Sequence, residues 1–245
     1  MGIVEGEKVT KFFGGLAAVY DVDFDIKEGE IVGLIGPNGA GKTTLFNLIS
    51  GSLSTTGGEI KFQGKTITKL KPHQICRLGI ARTFQSVKLF GNLSVLDHVF
   101  LGSICGTASR TKTIDAQHKA AALLDLVGLS ARNSELAKNL PLAEQKRLEV
   151  ARALATEPRV LLLDEVMAGL TATEVNSFTT LIHQIRSGGT TILLVEHVMQ
   201  AIMAICDRII VLHHGVKLAE GLPQEIAKNQ KVIEVYLGTD AYAER

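Results

Sequence analysis

Apolar residues in this chain cluster in short uninterrupted runs: EIVGLIG (30–36), VLLLDEV (160–166), TILLVE (191–196) and RIIVLH (208–213). Runs of this length without alternation are expected of parallel strands covered on both faces. The opening stretch KVTKFFGGLAAVYDVDFDI (8–26) alternates apolar and polar residues instead, which predicts strands joined by a turn at Gly14-Gly15. Another strand is expected over EIKFQGKTI (59–67), introduced by Gly57-Gly58, and another over GIARTFQ (79–85), ending at Gln85. PHQICRLG (72–79) reads as a short helix opened by Pro72 and closed by Gly79.

From Ser86 the period turns helical. SVKLFGNLSVLDHVFLG carries a capping-box pair, Ser94 and Asp97, and DAQHKAAALLDLVGL places Ala121, Leu124 and Val127 on one face before Gly128 ends it. The chain then gives a helix in VMQAIMAICD, the strand RIIVLH, a turn at His214-Gly215, a short strand VKLAEG, and one or two helices in PQEIAKNQKVIEVYLG. A single crossover rarely takes as many residues as the helical block. The predicted organisation is therefore one α/β domain with an inserted lobe. Residues about 1–85 and 151–222 form the core, with an antiparallel β subdomain at its N-terminal end; about 86–150 form the helical subdomain and about 223–245 a helical tail.

Composition removes several classes. A net charge of +1 gives no global attraction to nucleic acid or anionic lipid. The three cysteines, Cys76, Cys105 and Cys206, stand far apart, which disfavours a disulfide framework or zinc site and fits a reducing cytosol. MGIVEGEKVTKFF lacks the apolar core of a signal peptide, and no apolar run approaches the roughly 20 residues that span a bilayer.

Chemistry concentrates after the first buried strand. In GPNGAGKTT, Gly36, Gly41, Lys42 and Thr43 satisfy the phosphate-loop pattern G-x-x-x-x-G-K-[ST]. Small residues there (Asn38, Gly39 and Ala40 lie between, Thr44 just after) let successive backbone amides face phosphate oxygens. The following helix adds its unpaired amides and positive end. Lys42 can reach the outer phosphates and the Thr43 hydroxyl can ligate Mg²⁺, so the motif implies capture of a nucleoside triphosphate. Phe12 and Phe13 admit two readings: both in the core, or one on the solvent side stacking on a purine. VLLLDE ends in Asp164 and Glu165, the first suited to holding Mg²⁺ and the second to orienting or deprotonating water. TTILLVEH brings His197 to the carboxyl end of its strand, the edge where ligands bind if the strands are parallel.

Taken in order, these motifs resemble the ATP-binding cassette (ABC) ATPases of membrane transporters, over essentially the whole chain. GPNGAGKTT looks like Walker A, Gln85 in RTFQ like the Q-loop, VLLLDE like Walker B with its catalytic glutamate, and His197 in EH like the switch histidine. KNLPLAEQKRLEVARALATEP occupies the place of the signature helix. RTFQSVKLF, the EHVMQAIMAICDRIIVLHHG segment and VIEVYLG look most like ATPase subunits of bacterial branched-chain amino-acid importers. The resemblance implies a P-loop NTPase core of RecA-like type with a β subdomain and a helical subdomain, binding ATP and Mg²⁺. It implies two cassettes sandwiching two ATP molecules head to tail, on transmembrane permease subunits at the inner face of the membrane, served by a solute-binding protein. Phe13 would be the adenine-stacking aromatic. Gln85 would sense metal and water, and would link the site to the lobe that touches the permease.

The family signature is L-S-G-G-Q or close to it, whereas here Leu140-Pro141-Leu142-Ala143-Glu144-Gln145 stands in its place. Pro141 replaces the serine hydroxyl and Ala143 a glycine, while Glu144 brings a negative charge near the partner's phosphate if it points that way. Val166 replaces the proline usual after Walker B, and Thr171 the acid or asparagine of the D-loop. Because a signature serves the opposite site, these departures imply a heterodimer with one good and one weak site, or simple tolerance. A soluble ABC-type regulator or nucleic-acid-associated ATPase without a membrane partner is the alternative, although the fused cassettes and basic linkers usual in such proteins are not seen in this sequence.

Overall fold

The computed structural model describes residues 2–105 and 113–237. In chain order these form β1 (Val4–Phe13), β2 (Leu16–Ile26), β3 (Ile31–Ile35), α1 (Lys42–Ile49), β4 (Gly57–Phe62), β5 (Lys65–Thr66), α2 (Pro72–Leu78) and β6 (Ile80–Arg82). They continue as α3 (Val95–Cys105), α4 (Thr113–Leu126), α5 (Leu142–Leu154), β7 (Val160–Asp164) and α6 (Ala172–Ser187). The chain closes with β8 (Thr191–Val195), α7 (Met199–Ile205), β9 (Arg208–His213), β10 (Val216–Gly221), α8 (Pro223–Ile226) and α9 (Gln230–Leu237). Two compact units divide these elements, one holding everything up to Lys71 and from Thr191 on, the other Pro72–Thr190.

In the first unit, β1 pairs antiparallel with β2 and β4, and β4 with β5. β3 lies parallel to both β8 and β9, and β10 runs antiparallel on β9. β3 and β8 are buried at every position, as their unbroken apolar runs require. Each large side chain removed from water there contributes about 1.5–3 kcal/mol. At the other end of β3, β8, β9 and β10 from the glycine loop, Arg208 donates from Nε and Nη2 to the two oxygens of Glu30 (2.8 and 2.9 Å), bonds the Asp25 carbonyl (2.7 Å) and pairs with Glu220. Burial pushes the Glu30 carboxyl up, but the Arg208 and Lys27 hydrogen bonds outweigh it and hold it below its ordinary 4.5.

In the second unit, β7 is fully buried and parallel to β6, and α6 lays Phe178, Leu181, Ile182 and Ile185 along one stripe. Fully buried His98 on α3 accepts the Phe90 amide at Nε2 (2.8 Å) and bonds the Ser94 carbonyl through Nδ1 (2.9 Å). Burial lowers its pKa. The expected Ser94–Asp97 pair forms a cap: Ser94 Oγ accepts the Asp97 amide (3.1 Å), and the Asp97 carboxylate accepts the Ser94 hydroxyl (2.6 Å).

Four local expectations change. EIKFQGKTI is a hairpin, β4 and β5, because Gln63 and Gly64 both take left-handed φ (50° and 74°) and reverse the chain. The strand expected to reach Gln85 stops at Arg82: the Thr83 amide still bonds the Leu162 carbonyl (2.9 Å), but the Asp164 amide donates to the Thr83 hydroxyl (3.1 Å) in place of a main-chain carbonyl. The buried face of α4 is Ala116, Ala120 and Leu124, followed by Val127, leaving Ala121 exposed; three consecutive alanines gave periodicity no way to choose among them. Phe12 and Phe13 are both exposed, 39% and 47%, so neither is core. A register shift between Lys11 and Phe12 breaks the alternation that would have buried one of them.

Candidate active site

The loop from Gly36 to Gly41 joins β3 to α1. Gly36, Gly39 and Gly41 have φ of 150°, 78° and 101°, values that side-chain-bearing residues rarely adopt. A Cβ at Gly36 would lie 2.1 Å from the Leu212 carbonyl oxygen, and one at Gly41 2.4 Å from that of Ala18. At Gly39 nothing stands within 4 Å, so the tip of the loop opens outward, with Asn38 exposed beside it. Ala40 is buried and its carbonyl accepts the Gly215 amide (3.0 Å), fastening the loop to the β9–β10 turn. Gly41 is the N-cap of α1 and supplies no side-chain hydrogen bond to it; the positive end of the helix dipole lies at this loop. Lys42 is buried and donates from Nζ to the Gly36 and Pro37 carbonyls (2.6 and 3.0 Å), so its ammonium sits over the glycine turn. Thr43 is exposed and Thr44 half-buried.

The parallel register Leu34↔Val195 brings the ends of β3 and β8 level, and exposed His197 follows β8 at that same edge. Phe13 ends β1, with the Lys11 ammonium 5.2 Å from its ring centroid, whereas Phe12 meets Tyr20 edge-on at 6.2 Å. One contact had no signal in the loop motif: the Tyr236 hydroxyl on α9 accepts the Gly36 amide, while burial pushes its pKa up.

The second unit collects the other predicted residues. Asp164, 1% exposed at the end of β7, receives Arg82 Nη2 at 3.2 Å, and its amide is held by Thr83 Oγ1 at 3.1 Å. Burial lowers the Arg82 pKa against the opposing pull of Asp164. Glu165 takes a left-handed backbone, φ 52°, and its carboxylate accepts Gln85 Nε2 at 3.0 Å. Gln85 and Glu165, eighty positions apart, are thus directly joined.

Pro141 is the N-cap of α5 in extended conformation (ψ 158°), and no side chain caps the helix; Leu142 is 47% exposed and Ala143 follows it in the first turn. Glu144 turns its carboxylate to Arg132, 3.4 Å away, which offsets its charge within the unit. Val166 is buried in its own unit, 3% exposed. Thr171 caps α6 in a complete capping box with Glu174, a role that Asp or Asn fills equally well.

A phosphate loop on a parallel strand, followed by a strand ending in paired acids and a glutamine bonded to the second acid, defines a P-loop ATPase. The family model described as ABC transporter matches residues 19–168, more than half of the chain, and the chain belongs to that family, which hydrolyses ATP to drive transport. A second, described as branched-chain amino acid ATP-binding cassette transporter, matches residues 216–242.

Among individual relatives, the high-affinity branched-chain amino acid transport ATP-binding protein LivG of Salmonella typhimurium is 42% identical over 239 residues, covering 92% of this chain and 94% of LivG. BraF of Pseudomonas aeruginosa, similarly named, is 40% identical over 249 residues, covering 96% and 98%. A nucleotide-free ATP-binding cassette from an ABC transporter superposes with TM-score 0.88 at 28% identity, covering 97% of this chain and all (100%) of that one. The ADP conformation of MJ1267, an ATP-binding cassette of an ABC transporter, gives 0.88 at 29%, covering 97% and 99%. These relatives are transport subunits, and none supports the soluble-regulator alternative.

Proposed function

We propose that this chain is one ATPase subunit of an importer for branched-chain or related amino acids. It would pair head to tail with a second, non-identical cassette on permease subunits at the inner face of the membrane, receiving solute from a binding protein. The observation that supports this most is the division of intact and altered residues along the chain. Lys42, Thr43, Asp164, Glu165 and His197 follow the pattern of a working site, while the departures at Pro141 and Ala143 fall in the first turn of α5. The transported class comes from the names of LivG and BraF.

In this reading main-chain amides of the loop and of the first turn of α1 bind the phosphates, with Lys42 on the outer two and Phe13 against adenine. The Thr43 hydroxyl, the Asp164 carboxylate and the Gln85 amide oxygen are each hard oxygen donors, the chemistry that Mg²⁺ takes. Bound there, Mg²⁺ would offset the charge on the phosphate oxygens. Glu165 takes the proton of the attacking water, held in place by Gln85, and His197 donates a hydrogen bond to the outermost phosphate. ATP favours the closed dimer through contacts made only in that state, and hydrolysis reopens it. On the opposite side, Pro141 has removed a hydroxyl whose charge-assisted hydrogen bond would contribute about 1.5–3 kcal/mol.

The test is Glu165→Gln in this chain and, separately, the matching change in the partner, each in the reconstituted transporter. Unequal losses of ATP turnover and leucine uptake are expected; equal losses would remove the asymmetry. Failure of the assembled transporter to take up leucine, isoleucine or valine would refute the substrate assignment.

A further inference from the structure

Glu165 needs help to stay where it is. Its left-handed backbone costs a side-chain-bearing residue about 1–2 kcal/mol, so surrounding bonds must hold the turn. Within the turn, the Ala168 N–H donates to the Glu165 carbonyl and the Leu170 N–H to the Met167 carbonyl, both at a long 3.3 Å. The stronger hold comes from α5. Lys146, 6% exposed, donates from Nζ to the Glu165 carbonyl at 3.0 Å and to the Ala168 carbonyl at 2.6 Å. A buried ammonium is costly unless hydrogen-bonded, and these two carbonyls supply that bonding at the bend itself.

The same face of α5 grips the segment that carries Gln85. Glu149, one turn on, accepts the Lys88 amide (3.4 Å) and the Phe84 amide, and burial pushes its carboxyl up. Arg152, a further turn on, donates to the Lys88 carbonyl at 2.6 Å and pairs with Glu149. The Gln85–Glu165 hydrogen bond closes the circuit. Residues 146, 149 and 152 recur at helical spacing, so a single helix holds the main chain beneath both side chains.

We infer that Lys146 is a positioning residue for ATP hydrolysis: its ammonium fixes the turn that presents the Glu165 carboxylate to water and to Gln85. This rests on the reading of Glu165 as the base. The link also gives α5 two duties, a first turn that serves the opposite nucleotide and an inner face that serves its own.

The experiment compares Lys146→Met, which keeps volume but no donor, with Lys146→Arg, which keeps the charge and donors. Turnover and KM for Mg-ATP are measured in the assembled transporter, and amide hydrogen exchange over 165–170 in the full chain without nucleotide. Lys146→Met is expected to lower kcat about 10- to 100-fold, the scale of a misplaced base, with KM within about twofold. Exchange over 165–170 should quicken while 36–41 stays unchanged, and Lys146→Arg should recover most of kcat. If Lys146→Met does not fold, Lys146→Gln, which loses the charge but keeps an NH₂ donor group, is compared with Lys146→Arg in the same way. Wild-type kcat in the donor-free variant, or equal losses of kcat and KM in both variants with unchanged exchange at 165–170, would overturn the assignment. A wild-type chain that fails to bind ATP would instead refute the functional reading, and the exchange comparison would still judge Lys146.

Discussion

Three glycines of one loop should respond to the same substitution in different ways. Gly36→Ala forces a side chain onto φ 150° and places Cβ 2.1 Å from the Leu212 carbonyl oxygen; Gly41→Ala does so at φ 101° and 2.4 Å from the Ala18 carbonyl. Each contact is roughly an ångström inside van der Waals distance with backbone on the other side, which cannot rotate away. Backbone strain of about 1–2 kcal/mol adds to an overpacking cost of about 1–3, for a total of about 2–5 kcal/mol. Gly39→Ala meets no atom within 4 Å, so its cost to the unliganded fold is backbone strain alone, about 1–2 kcal/mol. Urea unfolding should therefore rank Gly36 and Gly41 variants well below Gly39→Ala. Titration with ATP should tell a different story. In the proposed reading the phosphates take the open space at Gly39, so this mild folding variant should still lose about tenfold or more in affinity, equivalent to at least about 1.4 kcal/mol. Wild-type ATP affinity in Gly39→Ala would refute the placement of the phosphates at the loop tip. A larger stability loss there than at Gly36 or Gly41 would refute the packing argument.

Arg208→Met removes one partner of a pair whose side chains are 15% and 13% exposed, so unfolding should show a loss of about 3 kcal/mol with ATP affinity unchanged. Because the Glu30 pKa is lowered on folding, its contribution is complete above pH 4.5 and disappears as pH falls through the folded value; urea midpoints in Glu30→Gln should lose that part of the acid dependence. His98 behaves with the same sign around 6.5: its pKa is lowered, so wild type should lose stability below that pH as Nε2 stops accepting the Phe90 amide, while His98→Gln is flat there. Thr171→Ala should cost about 1 kcal/mol through loss of the α6 cap, read by thermal or urea unfolding.

The sequence made the strand–loop–helix legible because β3 is apolar at every position and the glycines that follow have few alternative uses. Asp164 and Glu165 were legible for a similar reason, as charges abruptly ending a buried run. What escaped depends on contacts between distant segments. Lys146 reads as one more solvated cation on a helix, and only the folded unit shows its ammonium on the Glu165 and Ala168 carbonyls. Tyr236 lies two hundred positions from Gly36, and nothing local announces their hydrogen bond. The α4 face and the exposed pair Phe12-Phe13 escaped because an alanine run and a register shift defeat simple periodicity.

The altered signature is easier to understand once α5 is divided by face. Pro141, Leu142 and Ala143 lie at its tip, where Pro141 as N-cap and the pairing of Glu144 with Arg132 keep the helix start intact despite the unusual residues. Lys146, Glu149 and Arg152 lie on the inner face and bond only main-chain groups or one another among the contacts described above. Changes at the tip therefore leave the hold on Glu165 and Gln85 untouched, and the two functions of the helix are free to vary separately. In the proposed dimer, this division would weaken the site completed for the partner while leaving the chain's own hydrolytic residues held. In the proposed dimer, Pro141→Ser alone should raise turnover at the partner's site and leave that of Glu165 unchanged, and a rise confined to this chain's own site would contradict the division.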